Sequence, residues 1–379
     1  MGNSIDVSRG AVLVVFGLLV MSVRGLSGQG RGRGVVERVD PRATFAVGSA
    51  TAARGAVAYG AIRVPAGVDS GTTIPVVVVH GARPGPVVAF VAGSHGTEYA
   101  SVVALTRLPG RLDPRGLAGT VVVVPLLNVA SFDRMIVHVN PVDQKGMNAQ
   151  YPGNSNGTQT ERALALVAQQ VVGPADVVVD LHGGDLDEDL RPYSYWFRTG
   201  DARQDSASLV LALAFGLDHI IVTDVNVAAP AGARSLSGYA LSRGKMVLVA
   251  EAGRSGVVPA EDVGALVDGS LNVLGALRMV DRPVRPVAHP MWLSGAGARV
   301  RADSAGMFYA AVGRDAYVAQ GTRVGYTTDY VGRVTGDIQA PVAGVVTFIR
   351  GVPSMWRGAT LVNVAPVLAE PLPYVRPPQ

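Results

Sequence analysis

Four residues in three short stretches have the chemistry to act on a substrate. They are His95 and Glu98 in V-A-G-S-H-G-T-E, His182 in D-L-H-G-G, and Glu251 in A-E-A-G. Imidazole nitrogens and carboxylate oxygens are donors that zinc accepts, and a His and a Glu three residues apart reach one ion when a turn or helix start brings them to one face. A hydrolytic zinc site needs three such protein ligands, a position for water and a separate carboxylate for proton transfer. Asp180 stands two residues before His182 on what reads as a strand, so both side chains point to one face. Its carboxylate can orient the imidazole or support the strand end. The chain has no Cys, which removes thiolate metal sites, disulfides and a Cys nucleophile.

Buried strands must deliver these groups. Residues 87–92 are apolar and largely β-branched until Gly93 and Ser94 break the run, which predicts a strand whose C-terminal edge carries His95 and Glu98. Residues 175–181 run straight into His182 in the same way, and residues 247–250 run into Glu251. Open α/β sheets bind at the carboxyl ends of their strands, so three such ends predict one shared site. Further strands are expected over 56–64, 74–80, 119–126 and 219–223, and helices over 99–108, 160–172, 206–215 and 261–279. Residues 128–153 read as a long polar loop, of a length that usually goes with function or mobility.

The 379 residues, 48% of them hydrophobic, suffice for a large domain and a smaller one. Arg9, the apolar run 11–21 and the small residues around Ser27 read as an export signal over 1–28, too short to span a membrane, which takes about 20 residues. That predicts a secreted or periplasmic protein with no stable membrane span once the signal is removed. Residues 29–54 read as a flexible lead-in, 55–281 as the catalytic α/β domain and 282–379 as an all-β domain. In the last of these a weak repeat of Gly turns, at Gly306 and Gly321 and again at Gly344 and Gly358, predicts a small barrel or sandwich like a biotinyl/lipoyl half-barrel. It cannot carry such a cofactor, since no Lys follows Lys245. The net charge of +4 comes from scattered Arg, and aromatic residues are only 6% of the chain, so no nucleic-acid surface is expected.

Taken in order, G-S-H-G-T-E at 93–98, N-P-V-D-Q-K-G-M-N-A-Q-Y-P-G at 140–153, D-L-H-G-G at 180–184, A-E-A-G at 250–253 and the all-β tail resemble the succinylglutamate desuccinylase/aspartoacylase family, relatives of the zinc carboxypeptidases. The resemblance covers about residues 55–365. It implies an α/β fold, a carboxypeptidase-like mixed sheet flanked by helices, with the small all-β domain behind it. It also implies one zinc per chain on His95, Glu98 and His182, with Glu251 as general base and acid. The activity implied is zinc-dependent hydrolysis of a linear amide in a small molecule, first of all deacylation of an N-acyl amino acid. The rivals are a metallocarboxypeptidase acting on short peptides and a metal-binding protein without turnover, and a homo-oligomer is compatible with each. The family's loop carries an Asn-Arg pair that grips the substrate carboxylate. Here Asn148 matches, but Ala149 stands where the Arg would be. A guanidinium is the natural bidentate partner of a carboxylate, so Arg134, His138 and Arg254 become the candidates for that task.

Overall fold

A computed structural model describes residues 41–369. The segment read as an export signal, residues 1–28, lies outside the described residues. The expected lead-in is shorter than residues 29–54, because β1 (Thr44–Val47) and β2 (Ala50–Ala53) form an antiparallel hairpin. Phe45, Val47, Ala50 and Ala52 alternate inward and join the core that holds Ile62 and Ile74. Ala and Thr give this alternation little hydrophobic contrast, and a Gly/Arg-rich stretch precedes it, so the hairpin does not stand out in the sequence.

A mixed sheet frames everything else. Its strands β3 (Ala56–Val64), β4 (Thr72–His80), β5 (Arg83–Ala92), β6 (Ala118–Val124), β7 (Val177–His182), β8 (Glu188–Arg198), β9 (His219–Asp224) and β10 (Met246–Arg254) include the path β8-β10-β7-β5-β6-β4-β3. β6, β5, β7 and β10 are mutually parallel, while β8 and β4 run antiparallel to their neighbours β10 and β6. The central strands read as continuous Val-rich runs because helices cover both faces. In β5, Val88, Phe90 and Ala92 enter one core, and Val87, Ala89 and Val91 enter the other. The helices are α1 (Tyr99–Arg107), α2 (Val129–Arg134), α3 (Gln159–Val167), α4 (Ala202–Phe215), α5 (Leu236–Ser242) and α6 (Ala260–Ala276). Of these, α1, α4 and α6 close the first core, and α3 and α5 the second.

β8 has no counterpart in the sequence-based expectations. Charged residues and Pro192 break its apolar period, although it is 11 residues long. Long-range pairing makes it a strand: along one side it meets β10, and along the other its end pairs with β9.

The residues after 282 are all-β as expected, with β11 (Met291–Ser294), β12 (Ala298–Arg301), β13 (Gly306–Ala310), β14 (Tyr317–Val318), β15 (Arg323–Thr328), β16 (Val334–Gln339), β17 (Gly344–Arg350), β18 (Ser354–Met355) and β19 (Thr360–Ala365). Four of them, in the order β16-β15-β13-β18, form a small antiparallel sheet around part of a core of their own. The others extend the main sheet: β11 pairs with β9, β17 pairs with the start of β8, and β19 and β12 follow β17. A boundary at residue 282 therefore divides one continuous sheet.

Candidate active site

The three predicted strand ends do meet. β5, β7 and β10 lie side by side in parallel, with Ala92 opposite Leu181 and His182 opposite Glu251. Just past β5 the chain turns through Gly93 at φ +67, where a Cβ would also press on Leu126 at 2.8 Å. This turn carries His95 forward and leaves Glu98 at the N-cap of α1, a favourable place for a carboxylate.

Glu98 stands between two imidazoles. Its Oε1 is 2.7 Å from His95 Nδ1, and its Oε2 is 2.9 Å from His182 Nδ1. The ligand atoms of all three residues lie within 4.8 Å of one another. Burial alone would push the Glu98 carboxyl up, but His95 and His182 outweigh it and hold it down at about 2. Burial opposes charge on His182, yet the Asp180 and Glu98 carboxylates overcome it and raise the imidazole well above its ordinary range. His95 is raised too, with Glu98 prevailing over burial. Asp180 Oδ1 lies 3.1 Å from His182 Nε2, an ion-pair distance without hydrogen-bond alignment, while Nδ1 faces Glu98. Two imidazoles and a carboxylate, buried or half-buried and converging, with a second carboxylate behind one ring, form a donor set that fits zinc.

Glu251 lies beside this group. Burial, reinforced by Glu98, pushes its carboxyl up to about 7 against the pull of His182 and His95. The Tyr195 hydroxyl donates to its Oε1 at 3.4 Å, and Tyr193 is its cross-strand neighbour on β8. A carboxyl with this affinity can both take and return a proton near neutral pH.

The cavity in front of these residues has a volume of ≈ 510 Å³. Its lining draws on every part of the fold, with Asn148 and His138 from the long loop, Glu188, Leu190, Tyr193, Tyr195 and Phe197 from β8, and Arg299, Phe348, Thr360 and Asn363 from the C-terminal strands. The loop is pinned by its own polar residues. The Asp143 carboxylate accepts from the backbone N–H and hydroxyl of Thr160 at 2.9 Å each, and Asn140 Nδ2 donates to Gln159 at 2.9 Å. Asn148 Oδ1 accepts from the first N–H of α5, at Leu236, at 2.9 Å while the residue faces the cavity. His138, at φ 63, has its ring 5.4 Å from that of His95 and its Nδ1 3.3 Å from Asp185 Oδ2. His138, Asp187 and Glu188 form a second grouping of donor atoms, but Asp187 is already paired with Arg350 at 2.7 Å.

Two of the three candidates for the missing Arg are not part of the lining. Arg134 lies exposed in the last turn of α2, and Arg254 turns toward Glu261 at 3.9 Å. The guanidinium beside Ala149 belongs to Arg234 and is occupied, donating to the Ala149 carbonyl at 2.7 Å and to Gln150 Oε1 at 3.2 Å. Of the lining residues outside the sequence-based expectations, Tyr193, Tyr195 and Phe197 leave a trace in the alternation of Y-S-Y-W-F, whereas Arg299 leaves none.

The catalytic domain of the succinylglutamate desuccinylase/aspartoacylase family matches residues 84–277. The chain belongs to this family. Members are zinc-dependent amidohydrolases acting on small amides, and the His95, Glu98 and His182 cluster falls inside the matched region. N-alpha-acetyl-L-2,4-diaminobutyric acid deacetylase of Halomonas elongata is 29% identical over 239 residues, which is 60% of this chain and 68% of that one. Among solved structures, a succinylglutamate desuccinylase/aspartoacylase from Rhodobacter sphaeroides has a TM-score of 0.73 at 24% identity, covering 83% of this chain and 96% of the other. The product-bound ectoine utilization protein of Ruegeria pomeroyi has a TM-score of 0.74 at 22% identity, covering 82% and 95%. At these identities the two structures establish the shared fold, including the C-terminal strands beyond the family's catalytic domain. No helix among the described residues is long and apolar enough to cross a membrane.

Proposed function

We propose that the protein is a deacylase of N-acyl amino acids that holds one zinc per chain on His95 Nδ1, Glu98 and His182 Nδ1. The observation that carries this reading is the Glu98 carboxylate held between the two imidazoles, with Glu251 in register beside His182. Zinc bound there would supply a Lewis acid for the amide carbonyl and make water acidic enough to attack near neutral pH. The rest of the chemistry falls to the chain. Glu251 takes the proton of the attacking water and returns it to the nitrogen of the leaving amine, and the half-buried Tyr195 hydroxyl steadies its carboxylate between the two steps. Asp180 keeps His182 in one orientation, and the Tyr and Phe side chains of β8 exclude bulk water from the floor of the cavity. Asn148, fixed by α5, offers its amide nitrogen to the substrate. Glu188, whose carboxyl burial pushes well above its ordinary range, lines one wall with His138 at 3.7 Å and no Lys or Arg partner among the described residues, a place where a substrate amine such as that named for the Halomonas relative would favour its ionised form. The apolar run at 11–21 supports a secreted or periplasmic location, testable by sequencing the N-terminus of the mature protein.

The test is a hydrolysis panel of N-acyl acidic, neutral and diamino acids beside short peptides, run on metal-stripped and zinc-restored protein. Zinc-dependent turnover of N-acyl amino acids is expected, and turnover of the peptides alone would replace the deacylase reading with a peptidase.

A further inference from the structure

We infer that Arg299, on the C-terminal strand β12, receives the carboxylate of the substrate in place of the guanidinium missing at position 149. This rests on the deacylase reading above. Among the described residues Arg299 is the only Arg or Lys in the lining of the cavity. It lines the cavity together with Tyr195, the residue that donates to Glu251, and its charge acts on that phenol. Its side chain is exposed, and among the described residues its guanidinium has neither a hydrogen bond nor an ion pair. Three buried or half-buried arginines are engaged, Arg162 with Asp69, Arg314 with Asp189 and Asp262, and Arg350 with Asp187. A guanidinium facing a small-molecule cavity with its donors uncommitted is matched to a planar carboxylate, which it binds through two parallel N–H donors.

The position is also a sound place for such a group. β12 is an edge strand that pairs only with β19, with Arg299 opposite Asn363, which lines the cavity beside it. The carboxylate grip then comes from the segment after residue 282, and the zinc ligands and Glu251 come from the segment before it. A substrate long enough to touch both is an N-acyl amino acid whose scissile amide lies at the zinc ligands and whose free carboxylate extends toward β12.

The experiment compares kcat/KM of zinc-loaded full-length enzyme for the best N-acyl amino acid and for its carboxamide, in wild type, Arg299→Ala and Arg299→Lys. Binding of the product amino acid to each is measured by calorimetry. Wild type should prefer the free acid. Arg299→Ala should cut kcat/KM for the acid ~10- to 100-fold, the scale of a lost charged hydrogen bond, and weaken product binding by a similar factor. The carboxamide should be almost unaffected, and Arg299→Lys should recover part of the loss. An acid preference that survives Arg299→Ala, or an equal fall for acid and carboxamide, overturns the inference and leaves the deacylase reading intact. Failure of wild type to hydrolyse any N-acyl amino acid removes the deacylase reading and this inference together.

Discussion

Replacing Asp180 tests whether the site is built as a metal centre from its support outward. The carboxylate is 1% exposed and stands 3.1 Å from His182 Nε2, on the same strand face two residues upstream. It is also close enough to Tyr151 to help burial raise that phenol well above its ordinary range. Asp180 thus stands beside His182 in the wall of the cavity, and on the zinc reading its carboxylate favours a proton on Nε2 and leaves Nδ1 for the metal. Asp180→Asn keeps the volume and one acceptor oxygen but loses the charge, whereas Asp180→Ala loses both. Removing a carboxylate behind a ligating His weakens metal binding by about 10- to 100-fold, or about 1.4 to 2.7 kcal/mol. Asn should fall at the lower end of that range and Ala at the upper. Zinc affinity measured by competition with a chelator at fixed pH reads the effect directly, and activity at saturating zinc should largely return. If Asp180→Ala binds zinc as tightly as wild type, Asp180 does not orient His182, and the argument from the strand face fails.

Four further outcomes are expected. His182→Ala should lose most of its zinc by metal analysis, while chelation of wild type should abolish activity that added zinc restores. Glu251→Gln should retain zinc and lose at least about 100-fold in kcat/KM, the usual scale for a general base. Because Glu251 is pushed up to about 7 and must be deprotonated to act, kcat/KM should fall as pH drops through its acid limb, and bound zinc should shift that limb below 7. A flat profile from pH 8 to pH 4 would remove Glu251 from the role. A chain ended at residue 281 should be insoluble or unfolded, since β8 and β9 would lose their pairing with β17 and β11; a soluble fragment with normal zinc content would show that the boundary there is real.

What could be read from the sequence was whatever a single segment encodes. A parallel strand buried on both faces is an uninterrupted apolar run, so the polar residue that ends it stands out, and the sequence alone puts His95, His182 and Glu251 on one sheet edge. Asp180 followed from the two-residue period. What could not be read was built by pairing between distant segments. β8 looks irregular alone because its start faces β17 while its end faces β9, and each half answers to different neighbours. The inward residues of β1 and β2 form a face only when Ile62 and Ile74 lie beneath them. Arg134 and Arg254 were attractive because they lie near site motifs along the chain, but the short helix α2 leaves one exposed and Glu261 takes up the other.

The division of labour inside the cavity explains how position 149 can hold Ala without harm to the rest of the site. The loop around it is held by contacts that do not use the residue-149 side chain: Asn148 Oδ1 to the start of α5, Asp143 to the start of α3, and Arg234 to the Ala149 carbonyl itself. On the deacylase reading, the absence of a guanidinium there would cost substrate affinity but not loop geometry. The hydrolytic groups proposed above are different, because His182 and Glu251 sit in register on adjacent central strands and Glu98 occupies the N-cap position of α1. Moving any of them would mean repacking a core in which Ala92, Leu181 and Ala250 are fully buried. Residues that read the substrate can therefore move to an edge strand such as β12, where a side chain changes without disturbing the sheet. Residues that perform the hydrolysis have no such freedom.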